Sequence, residues 1–532
     1  MAQRTLASIL AVALVAVIAA GWPSASAVGQ VAGTFRTPLG GEPATLDPYF
    51  SVDSSSGPLT ALMYTTLVAF DSGGRLVPAG ARSWDISPNG LIYTFHLRDN
   101  VKFHGGRKVT AADWKWSFER MGDPTLKALV ADVVLSGVTG YDAYQKGAAE
   151  IAGLKVVDPQ TLQLVLNPSH RGGFLNRLAY YAAVVLDKDV VEKGGKGWFG
   201  TRDAGSGPFI FKEWVHNSRI TLAGDPNFAQ GPPKISRLEL PIVTEASTQL
   251  SEYVSGQLDL VQVPLADFQR IKADPVLSKE LFVAPRAQIL FLGLNARVYE
   301  AFKDARVRRA IAMAIDRAKI AQTVFFGFYR PANSIVPPGI PGFYADYKGL
   351  PYDPAQAKKL LEEAGVAGKL PPLRIAMNPF TPIAQMAGEP IVAMLRANLG
   401  LDAQLEKTEF SNFIASLNKR TVYQSFLTGW SADYLDYSDY LDLLLDSRSV
   451  LDRVNYNNPE FDKLIDQANA APTESRRIEI YHKAEALAVQ DAQFVPLFFS
   501  QFAMLKKPYV QGLETTPMLS GWLPFTRVSV QK

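Results

Sequence analysis

Two periodicities alternate along this chain and restrict it to a layered α/β architecture. Residues 91–98 (LIYTFHLR) and 161–166 (TLQLVL) place apolar side chains at every second position, as half-buried strands do. Between them, Thr110 and Asp113 have the spacing of a capping box at the head of the aromatic helix DWKWSFERM. Asp353-Pro354 and Asn458-Pro459 each supply an N-cap followed by a proline suited to the first helical position. Leu360, Leu361 and Ala364 form the apolar stripe of the first helix, which Gly365 stops; Phe461, Leu464, Ile465 and Ala468 share one face of the second. In DARVRRAIAMAIDRAKI, Val307, Ile311, Ala314, Ile315 and Ala318 follow helical spacing, with basic residues on the other faces. The predicted class is α/β with mixed sheets. Turn-rich stretches at 193–208, 224–233, 331–342 and 367–372 are candidate boundaries or long surface loops. No internal repeat of roughly 20 to 50 residues is present, which argues against a solenoid or propeller.

The 532 residues include no cysteine, so disulfides, thiol nucleophiles, thiolate metal sites and lipidated cysteines are excluded. Arg4 precedes an apolar run from residue 6 to residue 20 and the small-residue exit Ala25-Ser26-Ala27, the layout of a secretory signal peptide cleaved after Ala27. The run is shorter than the roughly 20 residues a spanning helix needs. An exported chain without a lipid attachment point would diffuse away from a cell bounded by one membrane, so a periplasm is expected. Removal of residues 1–27 leaves 53 basic against 51 acidic side chains. That near-neutrality, without a strong basic block, argues against nucleic acid or anionic membrane as the main partner.

Local motifs for chemistry are weak. Gly195, Gly197 and Gly200 match GxGxxG by spacing, but a charged segment enters them and a turn-rich one leaves, so a surface turn is expected. The histidines, His96, His104, His170, His216 and His482, form no HExxH and no helical pair, and no metal site or cofactor is implied. The order around Ser206 lacks the outer glycines of a nucleophile elbow. In residues 429–442 (GWSADYLDYSDYLD) the aspartates recur at every third position, unlike a calcium loop with ligands at every second. Asp436, Asp439 and Asp442 then fall near one helical stripe and are expected to form a solvated face. Asp433 follows Trp430 at the expected end of a strand, where a carboxylate could meet a ligand cation; the residues alone leave that open.

Longer runs carry more information. EPATLDPYF at 42–50, LVPAGARSWDISPNGLIYTFHLRDNVKFHGGRKVTAADWKWSFERM at 76–121, GSGPF at 205–209, SGQLDL at 255–260, LGLNARVYEAFKDARVRRAIAMAIDR at 292–317, YDPAQAKKLLEEAG at 352–365, GWSADYLDYSDYL at 429–441 and NPEFDKLIDQA at 458–468 occur in order. Together they resemble the family 5 extracellular solute-binding proteins of ABC importers, which serve uptake of peptides, nickel chelates, opines and related solutes. The resemblance spans 28–532 and is nearest to the oligopeptide branch. It implies a two-lobed periplasmic binding protein fold, with lobe one discontinuous (28–67, 205–286, 505–532), an extra domain on it (68–204) and lobe two at 287–504. Two crossings, near 285–292 and 500–507, would form the hinge. It also implies a monomer that binds solute between the lobes and delivers it to a membrane permease.

In that branch the aspartate of the GW.AD motif pairs with a peptide's α-ammonium, and Asp433 occupies its position. Gly429 and Ser431 match the strand whose backbone pairs with an extended ligand, and Trp430 matches an aromatic at the site wall. The sequence departs from the branch in three places: Leu427 replaces an arginine that could meet a peptide carboxylate, Val52 replaces an acidic residue of the ligand loop, and the tyrosine-rich strand before Asn295 reads ILFLGLN, with Phe291 its only aromatic. A longer or more apolar peptide, or a non-peptide solute such as a metal chelate, opine or oligosaccharide, fits these departures. An exported hydrolase needs two facing carboxyl groups with separated pKa values. A periplasmic sensor or chaperone of the same fold is a further alternative.

Overall fold

Helix starts lie where short polar side chains can replace missing backbone partners. In the computed structural model, which describes residues 33–128, 130–168, 173–378, 382–518 and 525–532, Asp353 accepts from the Gln356 N–H and Pro354 opens the helix Pro354–Glu363. Asn458 does the same for Glu460 and Phe461 at the head of Pro459–Asn469. The Asp113 carboxylate accepts from the Thr110 N–H and hydroxyl at the start of Ala111–Met121. The segment 304–323 forms two helices, Ala305–Met313 and Arg317–Thr323, although its helical spacing runs through. The break falls at Asp316, whose side chain accepts from the Lys319 N–H and starts a new helix. The expected signal peptide and His170 lie outside the described residues.

The early part of the chain builds one body. Thr34–Arg36 pairs in parallel with Arg237–Pro241, which continues antiparallel to Arg219–Gly224 and then Phe209–Val215. A second, antiparallel sheet has the order Ala81–Ile86, Ile92–Leu97, Thr161–Val165, Leu154–Asp158. One continuous apolar cluster runs under both, from Phe35 and Phe209 to Phe95, Trp114 and Leu162. The glycines at 195–200 form a 3-10 turn whose Trp198 is buried and donates to Asp47.

The rest is a seven-stranded mixed sheet. Its long strands are β1 (Leu281–Leu294), β2 (Leu373–Met377), β3 (Ser425–Ser431) and β4 (Phe494–Lys506). The order is Leu260–Gln262, β4, β1, β3, β2, Ala403–Lys407, and the seventh strand, Arg330–Pro331, pairs with β4 off this path. Alternate residues of β1 face opposite layers. Leu290, Leu292 and Leu294 enter one cluster, and Ala287, Ile289 and Phe291 another. Helices cover both faces, giving a three-layer arrangement.

β1 and β4 run antiparallel and connect the two bodies. At one end they pack with Leu260, Phe502 and Met504 on the first body's core, and at the other with Val495 and Leu497 in the second. Their register slips between Pro285↔Gln501 and Ile289↔Phe499, so residues 286–288 face the single Ser500. Such a bulge bends a strand pair locally. The bodies also touch directly, since Phe70 of the first lies in a cluster of the second.

Candidate functional site

The site grows from the C-terminal half of β3. On one side β3 pairs with β1 along its length, from Leu294↔Ser425 to Gln288↔Ser431. On the other, β2 covers only Ser425 to Leu427. Antiparallel partners exchange hydrogen bonds at every second residue. Ala432 donates to the Ala287 carbonyl and Asn295 to that of Gln424, which puts the even-numbered residues of β3 in hydrogen-bonded register with β1. The N–H and C=O groups of Gly429 and Ser431 therefore point to the side that β2 leaves uncovered.

The chain leaves the sheet at Asp433 and enters a 3-10 turn (Tyr437–Asp439) and a short helix (Leu441–Leu445). The Asp433 carboxylate is half-buried and has no hydrogen-bond or ion partner among the described residues; burial pushes its pKa up to about 6. Its N–H donates to Oδ2 of Asp439 (3.3 Å), and the same oxygen accepts from Trp430 Nε1 at 3.0 Å. Asp439 is fully buried and its Oδ1 has no partner. Burial first, and then the neighbouring Asp433 charge, hold its carboxyl well above the usual range.

The expected solvated face is not there. Asp436 is 4% exposed and Asp439 0%, and both oxygens of the half-buried Asp442 are bonded, to Asn469 and Tyr481. Burial works against the Asp436 carboxylate, but the charge and hydrogen bonds of Arg477 prevail and hold its pKa low. Ser438 and Asn176 complete its shell, the latter donating from the first body at 2.6 Å. Every-third spacing gave the wrong picture because the partners come from elsewhere: Asn469, Arg477 and Tyr481 are far downstream and Asn176 far upstream.

The opposing wall belongs to the first body. Tyr181 donates to the Ser51 carbonyl (2.8 Å), and Tyr180 donates to the Tyr181 hydroxyl (3.1 Å). Burial raises both phenols, and Asp433 is near enough to add to the rise. Val52, 48% exposed, follows Ser51 on this wall. Beside Tyr181 opens a cavity of about 610 Å³, lined among others by Pro58, Tyr64, Phe70, Ala179 and Met518. Its charged groups are already matched: Arg75 with Asp71 and Arg527 with Glu514. Sequence reasoning did not single out Tyr180, Tyr181 or Asn176; the aromatic pair lies in the largely apolar run LAYYAAVVL, which reads as core.

Gly429, Trp430, Ser431 and Asp433 thus come together, facing the loop of Val52 through Tyr181. Phe291 lies deeper: it is buried, pairs with Thr428, stacks on Phe494 at 3.8 Å and borders a void of about 10 Å³ with Gly429 and Trp430. Asn295 is not brought to the site. Its backbone meets Gln424, seven residues or about 24 Å along the strand from Ser431. Its side chain is spent on Arg420, Arg297 and Asn455. Leu427 is also turned away, buried in the cluster of Leu292 and Met377. Among the described residues no helix is long and apolar enough to cross a membrane, and no group of three or more His, Asp or Glu could hold a metal ion.

Known proteins resemble this chain along most of its length. The oligopeptide-binding protein OppA of Bacillus subtilis is 28% identical over 89% of this chain and 88% of its own. Heme-binding protein A of Haemophilus influenzae is 29% identical over 93% and 91%. The structure of the Escherichia coli murein tripeptide binding protein MppA superposes with a TM-score of 0.77 at 26% identity, covering 94% of this chain and 99% of that one. The model of the bacterial extracellular solute-binding proteins, family 5, matches residues 75–451. With most of its length covered by that match, and a two-bodied mixed α/β fold to go with it, the chain belongs to the family 5 bacterial extracellular solute-binding proteins.

Proposed function

We propose that this protein is the periplasmic receptor of an ABC importer, capturing a peptide or peptide-like solute between its two lobes and delivering it to a membrane permease. The observation that carries the reading is the uncovered backbone of Gly429 and Ser431 beside the unpartnered Asp433 carboxylate. Backbone pairing is indifferent to side-chain identity and one carboxylate fixes direction, a combination suited to extended peptides. The likeness to peptide-binding relatives supports it. On this reading residues 1–27 are the cleaved export signal, the lobes run 28–67 with 205–286 and 505–532, and 287–504, with 68–204 as the extra domain. The protein works as a monomer without catalysis. The solute ammonium meets Asp433, Trp430 walls the site, and Val52 and Phe291 shape its two sides.

Titration calorimetry of ligand-free mature protein with di- to pentapeptides and their N-acetylated forms tests this: acetylation should weaken binding sharply, and equal affinities would sink the ammonium role. A second reading, a non-peptide cationic solute, is favoured by one observation. The cavity beside Tyr181 has mixed polar and apolar walls and no unmatched cation for a peptide carboxylate. Native mass spectrometry of protein purified without denaturation, which weighs any retained solute, separates the two.

A further inference from the structure

Asp433 and Asp439 form a pair that the ammonium reading does not use in full. Asp439 is sealed from solvent, one of its oxygens holds the Trp430 indole and the Asp433 N–H, and the other has no donor. The groups facing the pair are neutral or acidic: Trp430 from β3, Tyr434 and Tyr440 from its own segment, Tyr180 and Tyr181 from the first body, and Asp436. Of the cations nearby, Arg477 is paired with Asp436 and Glu474, whereas Arg177 gives Nη1 to the Ser136 carbonyl and hydroxyl, keeps an unpartnered Nε and forms no ion pair with either aspartate. Two adjacent carboxylates, one buried and one half-buried, without an ion-pair partner cannot both ionise at small cost.

We propose, resting on the ammonium reading above, that Asp433 and Asp439 together hold one proton in the ligand-free protein and that the arriving ligand cation displaces it to solvent. Asp439 is a positioning residue: it fixes the Asp433 main chain and Trp430, and its carboxyl is the proton's reservoir. The ligand class follows. A solute must bring a positive charge to replace the proton, so the site selects protonated amines and rejects neutral isosteres of the same shape. Affinity for such solutes rises with pH through the pair's titration, because binding releases a proton, by at most about tenfold per pH unit.

The test is infrared difference spectroscopy at pH 7 on the whole mature protein against Asp439→Asn, which keeps an oxygen for the Trp430 indole. An unchanged far-ultraviolet circular dichroism spectrum and an unchanged melting profile verify the fold. The ligand-free wild-type minus variant spectrum should show the C=O stretch of one protonated carboxyl. A difference containing only ionised carboxylate overturns the proposal. Saturation with a mixed library of free-amine di- to pentapeptides should remove that band; its survival with library bound also overturns it. Binding of the N-acetylated library as tightly as the free one would instead sink the ammonium reading, while the ligand-free spectrum still decides the shared proton.

Discussion

Asn176→Ala should weaken solute binding without weakening the fold. Asn176 follows Phe174 on a short helix anchored in the first body's core, and its Nδ2 reaches Asp436 Oδ2 of the second body at 2.6 Å. The bond joins the two bodies away from β1 and β4, as the packing of Phe70 does, so opening of the cleft should break it. A hydrogen bond to a charged group contributes about 1.5–3 kcal/mol net. The lower end applies because Asp436 keeps Arg477 and Ser438 when Asn176 is removed. About 1.5 kcal/mol lost from the closed form alone lowers apparent affinity by about tenfold, given that the free protein is mostly open. Calorimetry with a peptide that the wild type binds measures the loss, and small-angle scattering of the saturated complex should show a larger radius at equal peptide concentration. Asn176→Asp, which sets a like charge against Asp436, should cost more than alanine. Unchanged affinity in both variants, or a loss mirrored by an equal drop in melting temperature, would refute this reasoning.

Three further outcomes follow from buried charges. Arg477→Met leaves Asp436 buried without a counter-charge, at a cost of about 3–5 kcal/mol at neutral pH. In the wild type the lowered Asp436 pKa gives stability that is present above the ordinary carboxylate range and lost as pH falls through the lowered value. Melting curves of variant and wild type should therefore converge as the pH is lowered. Leu427→Arg, which would restore the arginine of the oligopeptide branch, should destabilise by more than about 3 kcal/mol and confer no preference for free peptide C-termini, because residue 427 faces the apolar cluster; competition between free and amidated peptides measures the preference. Burial pulls the His104 pKa down, but its bond to Asp203 (2.8 Å) and the Asp203 charge raise it overall. Its stabilisation is full below the unfolded histidine pKa and fades as pH rises through the raised one, so His104→Gln should lower the melting temperature more at acidic than at alkaline pH.

What the sequence made legible was local or collective. Proline-anchored caps such as Asp353-Pro354 act within three residues and appear as read. The uncovered stretch Gly429 to Ser431 followed from a long ordered resemblance rather than from periodicity. The break at Asp316 was hidden because a polar cap can interrupt an apolar stripe without disturbing its spacing. The three later aspartates were misread for a related reason. Spacing reports which residues share a face, but solvent and a buried partner both accept a carboxylate there. Only the tertiary arrival of Arg477, Asn469 and Tyr481 decides between them.

That distinction bears on how the site would read a solute. Negative charge is concentrated at one end, in Asp433 and the carboxyl beneath it, whereas the cations lining the cavity are each matched by a carboxylate of their own. A peptide's C-terminal carboxylate could reach Arg75 or Arg527 only as exposed, already paired cations, an ion pair of little net gain. Its amino terminus meets a carboxylate with no cation of its own. On the proposed reading, recognition is therefore polar in the directional sense: one end is held by charge and the middle by the backbone of Gly429 and Ser431. Such a receptor discriminates among amino termini more strongly than among lengths, and Tyr180 and Tyr181 are the first-body residues that feel the Asp433 charge.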